Sequence, residues 1–264
     1  MRLEGTTALV TGAGRGLGWG AARALARAGA HVVLTAEQPD ELEAARVGIV
    51  ARGGSAEAIV ADLRTAAGCD ALVAAMRRSH ATLQLLVNNA GVLRLVDVRA
   101  TTDAVWDETI AVNLTAPFRL LRATIDLMPA GGSIVNVSSR AGVMPFASEA
   151  AYCAAKFGIE GLTRAAAIDL EGTRISVNTV TPGLRIKPTG VTLRDFDALP
   201  APERDSFHDP ETLGPAFIAL ATLRGRPSGR RFDARRLAEA IATRGYEAVL
   251  ADLEALAEPS ARDA

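Results

Sequence analysis

Tyr152 and Lys156 stand four positions apart in "YCAAK", and each is one of only two residues of its type in a chain whose other positive charges are arginine, Lys187 excepted. On a helix that spacing puts both side chains on one face. A phenol titrates near 10 when unperturbed, and an ammonium within a few ångströms favours the phenolate, so the pair reads as an acid/base with its pKa drawn down. The compact lysine ammonium can sit below a ring and bond a hydroxyl at once, which the planar arginine fork cannot, and this accounts for a lysine in an arginine-rich chain. Thirteen residues before the tyrosine, "VSS" offers Ser138 and Ser139 as polarising hydroxyls. Successive residues at a strand end point opposite ways, so only one of the two is expected to face the site.

A second constellation lies near the N-terminus. "TGAGRGLG", Thr11 to Gly18, follows an apolar run directly. Its glycines allow a tight turn and a close approach of backbone N–H groups to an anion, with the positive end of a helix beginning near Gly16 aimed at the same spot. The pattern is a pyrophosphate cradle. Its spacing is T-G-x-x-x-G-x-G, because Leu17 stands where the G-x-G-x-x-G pattern requires glycine.

The elements that must carry these groups alternate along the chain. Apolar β-type runs at 7–11, 31–35, 56–61, 83–88, 133–138 and 175–180 are separated by helical patterns near 17–28, 39–52, 66–80, 102–128 and 150–171. The reading is a single doubly wound α/β Rossmann domain, a parallel sheet with helices on both faces, whose ligands sit at the carboxyl ends of the strands. This domain is expected over 1–234, with an irregular segment at about 184–209 beside the site. A short strand is expected near "RRFDA", and one further helix, from Arg235 to about Ala257, forms a C-terminal extension over 235–264 packed on the same body.

Composition excludes several classes. With 264 residues, 49% of them hydrophobic, the chain can bury a full core, and its formal net charge of -1 supplies no basic field to draw it onto nucleic acid or anionic lipid. No apolar run is long enough to span a membrane, and no leader-like start is visible, so a cytoplasmic protein with reduced thiols is expected. Cys69 and Cys153 match no metal-ligand spacing, and His31, His80 and His208 look scattered, so no metal is expected.

With "TGAGRGLG", "NNAG" at 88–91, "VN" at 112–113, "VSS" at 137–139, "YCAAK" and "TPG" at 181–183 in order and at strand ends, the chain resembles the classical short-chain dehydrogenase/reductase family over roughly residues 5–183. The resemblance implies an NAD(P)-dependent oxidoreductase interconverting a secondary alcohol and a ketone. In that reading Tyr152 is the general acid/base, Ser139 polarises the substrate oxygen, Lys156 supports the tyrosine, and Asn113 completes a proton relay through Lys156 and water. It implies cofactor contacts at Gly12, Arg15, Gly16, Leu17 and Gly18, at Glu37, at Asp62 and Leu63, at Asn89, Ala90 and Gly91, at Pro182, Gly183 and Thr189, and at Tyr152 and Lys156. Asp62 would accept from the adenine amino group, or else cap the helix that follows it. A homotetramer or homodimer, built through the long helices before and after the fifth strand, is also implied.

Three departures qualify it. "LTAEQ" places Ala36 and Glu37 where the family discriminates cofactors. Glu37 would repel a 2′-phosphate and Arg15 would attract one, so NAD(H) is preferred on the sign of charge and NADP(H) stays open. Lys187 replaces the threonine expected after "PG", leaving Thr189 two residues later. The glycine-ending last strand is replaced by "RRFDARR". Two other readings stand beside the enzyme: a catalytically silent nucleotide sensor on the same fold, and nucleic-acid binding through "LRGRPSGRR", which has only that short basic stretch in its favour.

Overall fold

The structure, a computed structural model, describes residues 3–186 and 196–258. Seven parallel strands form one sheet: β1 (Thr7–Thr11), β2 (His31–Ala36), β3 (Ser55–Val60), β4 (Leu85–Asn88), β5 (Ser133–Val137), β6 (Ser176–Thr181) and β7 (Arg231–Asp233). Their order is β3-β2-β1-β4-β5-β6-β7. The chain reverses its direction of travel across the sheet between β1 and β4, the switch point at which such folds bind ligands.

Period-2 alternation divides each strand between two cores. Ala8 and Val10 of β1, Val32 and Leu34 of β2, and Leu85 and Val87 of β4 face one apolar cluster. It is closed by α1 (Gly16–Arg27) and α2 (Pro39–Val50). Leu9, Val33 and Leu86 face the other, closed by α3 (Ala66–Ser79), α5 (Ala116–Thr124) and the end of α6 (Ala150–Asp169). With both faces covered, β4, β5 and β6 are buried throughout, whereas the edge strand β3 is not. Burial on both faces accounts for the apolar run of β4, while β5 and β6 also bury Asn136, Asn178 and Thr179 among their apolar residues.

Two helices differ from expectation. The pattern at 102–128 is not one helix: α4 (Asp103–Ile110) passes through a π-turn at Ala111–Thr115 into α5, which ends in a 3-10 turn at Ile125–Leu127. The wider turn adjoins Pro117, whose ring has no N–H to continue the ladder. After the short helices α7 (Ala201–Arg204) and α8 (Gly214–Leu220), the C-terminal pattern breaks into α9 (Ala234–Arg244), α10 (Tyr246–Ala251) and a 3-10 turn at Leu253–Leu256. Gly245, at φ 78, is the break, a left-handed position that ends α9. Leu237, Ile241, Val249 and Leu253 nevertheless join the same core as α1 and α8.

Candidate active site

The carboxyl ends of the strands open on a cleft of about 390 Å³ lined by the glycine loop, the ends of β2 and β4, and the serine and tyrosine of the second constellation. At its floor the loops after β1 and β4 are stitched together. Thr11 Oγ1 accepts the N–H groups of Asn89 and Ala90, both at 2.9 Å, and Asn89 Nδ2 donates to Thr11 O at 2.8 Å. A Cβ at Gly12, where φ is 62, would lie 2.9 Å from Ala90 Cα, so glycine is what lets these loops touch. Gly18 packs against Gly12 O and the Asn89 amide in the same way.

Beyond the floor, the loop is built to take an anion. Among the described residues no side chain caps the N-terminus of α1, and nothing lies within 4 Å of where a Cβ at Gly16 would stand, so its first-turn amides are open to an anion. Gly12, Arg15, Gly16 and Leu17 line this part of the cleft, with Glu37 from the end of β2, Asp62 and Leu63 after β3, and Asn89, Ala90 and Gly91 after β4. A dinucleotide with its pyrophosphate on α1 fits these residues.

The charged groups here are paired with one another. Arg15 meets Glu41 at 2.8 Å, and Arg64 meets Asp62 at 2.8 Å and Glu37 at 3.3 Å. The Arg64 guanidinium, through its hydrogen bonds, holds the Asp62 carboxyl below the usual carboxylate range. Asp62 therefore does not cap α3; Thr65 does, accepting from Gly68 N at 3.0 Å. Arg64, and Arg94 with its partner Glu108 at 3.2 Å, also line the cleft and were not singled out from the sequence. Arg64 lies two residues after Asp62 in "ADLR", a spacing that could have found it.

At the other end, Tyr152 and Lys156 share one face of α6, with Lys156 Nζ 5.4 Å from the tyrosine ring centroid. Ser139 ends the strand-to-loop turn after β5. Its Oγ accepts from Ala141 N at 3.2 Å, which leaves its proton to give, and its hydroxyl is near enough to Tyr152 to favour the phenolate. Ser138, 3% exposed, is instead bonded to Arg231. Of the two serines, Ser139 is the one turned to the tyrosine.

The expected lowering of the tyrosine pKa is not what the structure gives. Burial pushes Tyr152 up to about 12, opposed by the Ser139 hydroxyl and reinforced by Glu149. Lys156 Nζ is spent on Val137 O at 2.8 Å, and its burial brings it down to about 8 against the pull of Glu160. Loss of solvent is the largest cause for both groups.

Asn113 sits in the π-turn behind the cleft, 1% exposed, donating to Val92 O and Thr109 O at 2.9 Å each. Its Oδ1 is buried without a hydrogen-bond partner among the described residues. Pro182 lines the cleft, whereas Gly183 is packed against the Asp233 carboxylate. Thr189 and Lys187 lie outside the described residues.

Behind Ser139 is a buried charge cluster with no local sequence signal. Arg231 of β7 reaches the Glu160 carboxylate with Nη1, Ser139 O with Nη2 at 3.0 Å, and the Glu258 carboxylate with Nε. Glu160 lies one turn after Lys156 on α6 and accepts from Thr179 Oγ1 at 2.9 Å. Arg230 is paired with Glu254 at 2.6 Å at the surface, so two arginines of the short basic stretch are engaged by carboxylates of the same chain, one of them buried.

The profile of the short chain dehydrogenase family matches residues 6–194. The chain is 37% identical to 2,3-dihydro-2,3-dihydroxybenzoate dehydrogenase of Bacillus subtilis, over 69% of this chain and 70% of that protein. It is 36% identical to trans-4-hydroxycyclohexanecarboxylate dehydrogenase of Sinomonas cyclohexanicum, over 75% and 80%. Among solved structures, a metagenomic short-chain oxidoreductase in complex with NADP superposes with a TM-score of 0.71 at 37% identity, covering 83% of this chain and 91% of that one. With the seven-stranded sheet and the cleft at its switch point, these matches show that the chain belongs to the short-chain dehydrogenase family and is an NAD(P)-dependent oxidoreductase.

Proposed function

We propose that the protein interconverts a secondary alcohol and a ketone, with Tyr152 as the general acid/base. The observation that carries this reading is that Ser139, Tyr152 and Lys156 line one cleft, with Lys156 Nζ 5.4 Å from the tyrosine ring centroid. A bound nicotinamide cofactor supplies or accepts the hydride. Everything else falls to the chain. A tyrosine raised to about 12 is fully protonated near neutrality and is poised to give its proton to a carbonyl oxygen. Ser139, its acceptor side fixed by Ala141 N, donates to the same oxygen. In this reading Lys156, on the tyrosine's face of α6, and Asn113, buried in the π-turn, return the proton through a relay that includes water.

NAD(H) is the preferred cofactor in this reading. The cations near the end of β2 are already matched, Arg15 by Glu41 and Arg64 by Glu37 and Asp62, so a 2′-phosphate would have to compete with three carboxylates. Titration with NADH and NADPH, followed by nicotinamide fluorescence, tests this, and tighter binding of NADPH would reverse it. Tyr152→Phe is expected to keep cofactor binding and lose turnover by about 10²- to 10⁴-fold. A variant with unchanged turnover would remove Tyr152 from the reaction.

Substrates worth screening first are cyclic secondary alcohols, because the two relatives above are named for hydroxylated six-membered rings bearing a carboxylate. The silent nucleotide sensor has no support among the relatives. A homodimer or homotetramer is supported by exposed apolar side chains on α4, α5 and α6: Trp106, Phe118, Phe157 and Ile168. Light scattering on the eluting protein tests it; a monomer would refute it. Cys69 and Cys153, both free and buried, suit a reducing compartment such as the cytoplasm.

A further inference from the structure

Two of the three histidines, expected to be scattered, meet on the far side of the molecule from the catalytic cleft. His31 opens β2, and β2 pairs with β3 so that His31 lies opposite Ser55 and Val33 opposite Glu57. Residues two apart on a strand share a face, so His31, Ser55 and Glu57 all project from the face that Val33 turns toward α3. His80, the residue that ends α3, closes over the same spot, with its ring centroid 5.1 Å from that of His31. One nitrogen from each ring and a carboxylate oxygen of Glu57 all lie within 4.8 Å of one another.

The hydrogen bonds assign the atoms. His31 Nδ1 is 2.7 Å from Ser55 Oγ, and its Nε2 is buried without a hydrogen-bond partner among the described residues. His80 Nε2 is 2.7 Å from Glu57 Oε1. A ring nitrogen tied to a hydroxyl, with the opposite nitrogen buried and left without a partner, is the arrangement by which an outer partner fixes the tautomer of a metal-bound histidine.

We propose that His31 Nε2, His80 Nε2 and Glu57 form a binding site for a divalent transition metal of the zinc class. Two imidazoles and one carboxylate match the ligand preference of Zn²⁺. Ligands at about 2.0–2.2 Å from a tetrahedral ion stand roughly 3.4 Å apart. The ion therefore displaces the proton between His80 Nε2 and Glu57 Oε1, that 2.7 Å pair opens slightly, and His31 draws in. The ligands come from β2, β3 and the end of α3, so the ion staples the edge strand β3 to the body of the domain. The imidazole donors select against Mg²⁺ and Ca²⁺. The site shares no residue with the catalytic cleft, so its existence is independent of the proposed reaction.

The test uses the full chain after chelation. Calorimetric titration with ZnCl₂ is expected to show one site per chain, with no heat of binding from MgCl₂, and Zn²⁺ is expected to raise the melting temperature by about 2–4 °C. His80→Gln and His31→Gln should lose both effects, whereas His208→Ala should keep them. Binding of NADH by each variant reports that it is folded. Cobalt as a probe is expected to give a d–d spectrum without a thiolate charge-transfer band, since no cysteine belongs to the site. Failure of the native chain to bind Zn²⁺ would overturn the proposal, as would equal binding by His80→Gln or a thiolate band with cobalt.

Discussion

Around the end of β2, Arg15 and Arg64 meet Glu41, Glu37 and Asp62 through side chains that are between 23% and 48% exposed. Behind the end of β5, Arg231 and Glu160 are 7% and 6% exposed and lie against the backbone of Ser139. Both regions border one cleft and both hold arginine–carboxylate pairs, yet water separates their roles. Solvated pairs are worth little to the fold and can be rearranged by a ligand, so they suit recognition. A buried pair is costly to break from one side, because the partner left behind keeps its charge without its solvent, so it suits rigid placement.

The largest expected effect comes from breaking the buried region. Arg231→Leu strands Glu160 and should destabilise the protein by about 3–5 kcal/mol, measured by denaturant unfolding. Replacing Glu160 by Leu at the same time should recover most of that loss. A double variant as unstable as the single one would mean that packing, not charge, holds the region.

Lys156 gives the next effect, because it brings charge into the buried half with no carboxylate of the described residues in salt-bridge contact. Its pKa of about 8 lies below the value of 10.5 that stands for the unfolded chain. Between these values the unfolded chain holds the extra proton, so stability should rise with pH by up to about 1.4 kcal/mol per unit. Tyr152, raised from 10.0 to about 12, works in the opposite sense once pH passes 10. The clean window is therefore pH 8 to 10, where Lys156→Met should flatten the slope of unfolding free energy.

The smallest effect on the fold belongs to the solvated pairs. Glu37→Ala should alter stability by no more than about 0.5 kcal/mol, yet shift the ratio of NADPH to NADH affinity by roughly tenfold toward NADPH. If the ratio stays fixed while stability falls, the contrast between the two regions fails.

The same contrast separates what could be read from the sequence from what could not. All six longer strands and the glycine loop follow local rules, periodicity and turn chemistry, and their expected positions agree with the observed ones to within about two residues. Tyr152 and Lys156 were visible because a helix converts a spacing of four into a shared face. Arg231 and Glu160 are 71 residues apart, and no local pattern announces their meeting. His31 and His80 converge only because β2 and the end of α3 abut. Gly245 after Arg244 was a helix stop in plain view, outweighed by the apolar period running on either side of it. The upward shift of Tyr152 was missed for a related reason: the neighbouring charge shows in the sequence, and the surrounding wall of apolar atoms does not.

From β4 onward the strands join the sheet in the order in which the chain is made, with β7 added last at the edge. During translation, the glycine loop and the tyrosine helix are both available before the segment carrying Arg231 leaves the ribosome. The loop of Ser139 therefore gains its support only when the final strand docks, and α1 likewise waits for the segment at 210–220 that packs against Gly20 and Ala24, so both ends of the cleft are finished late in synthesis.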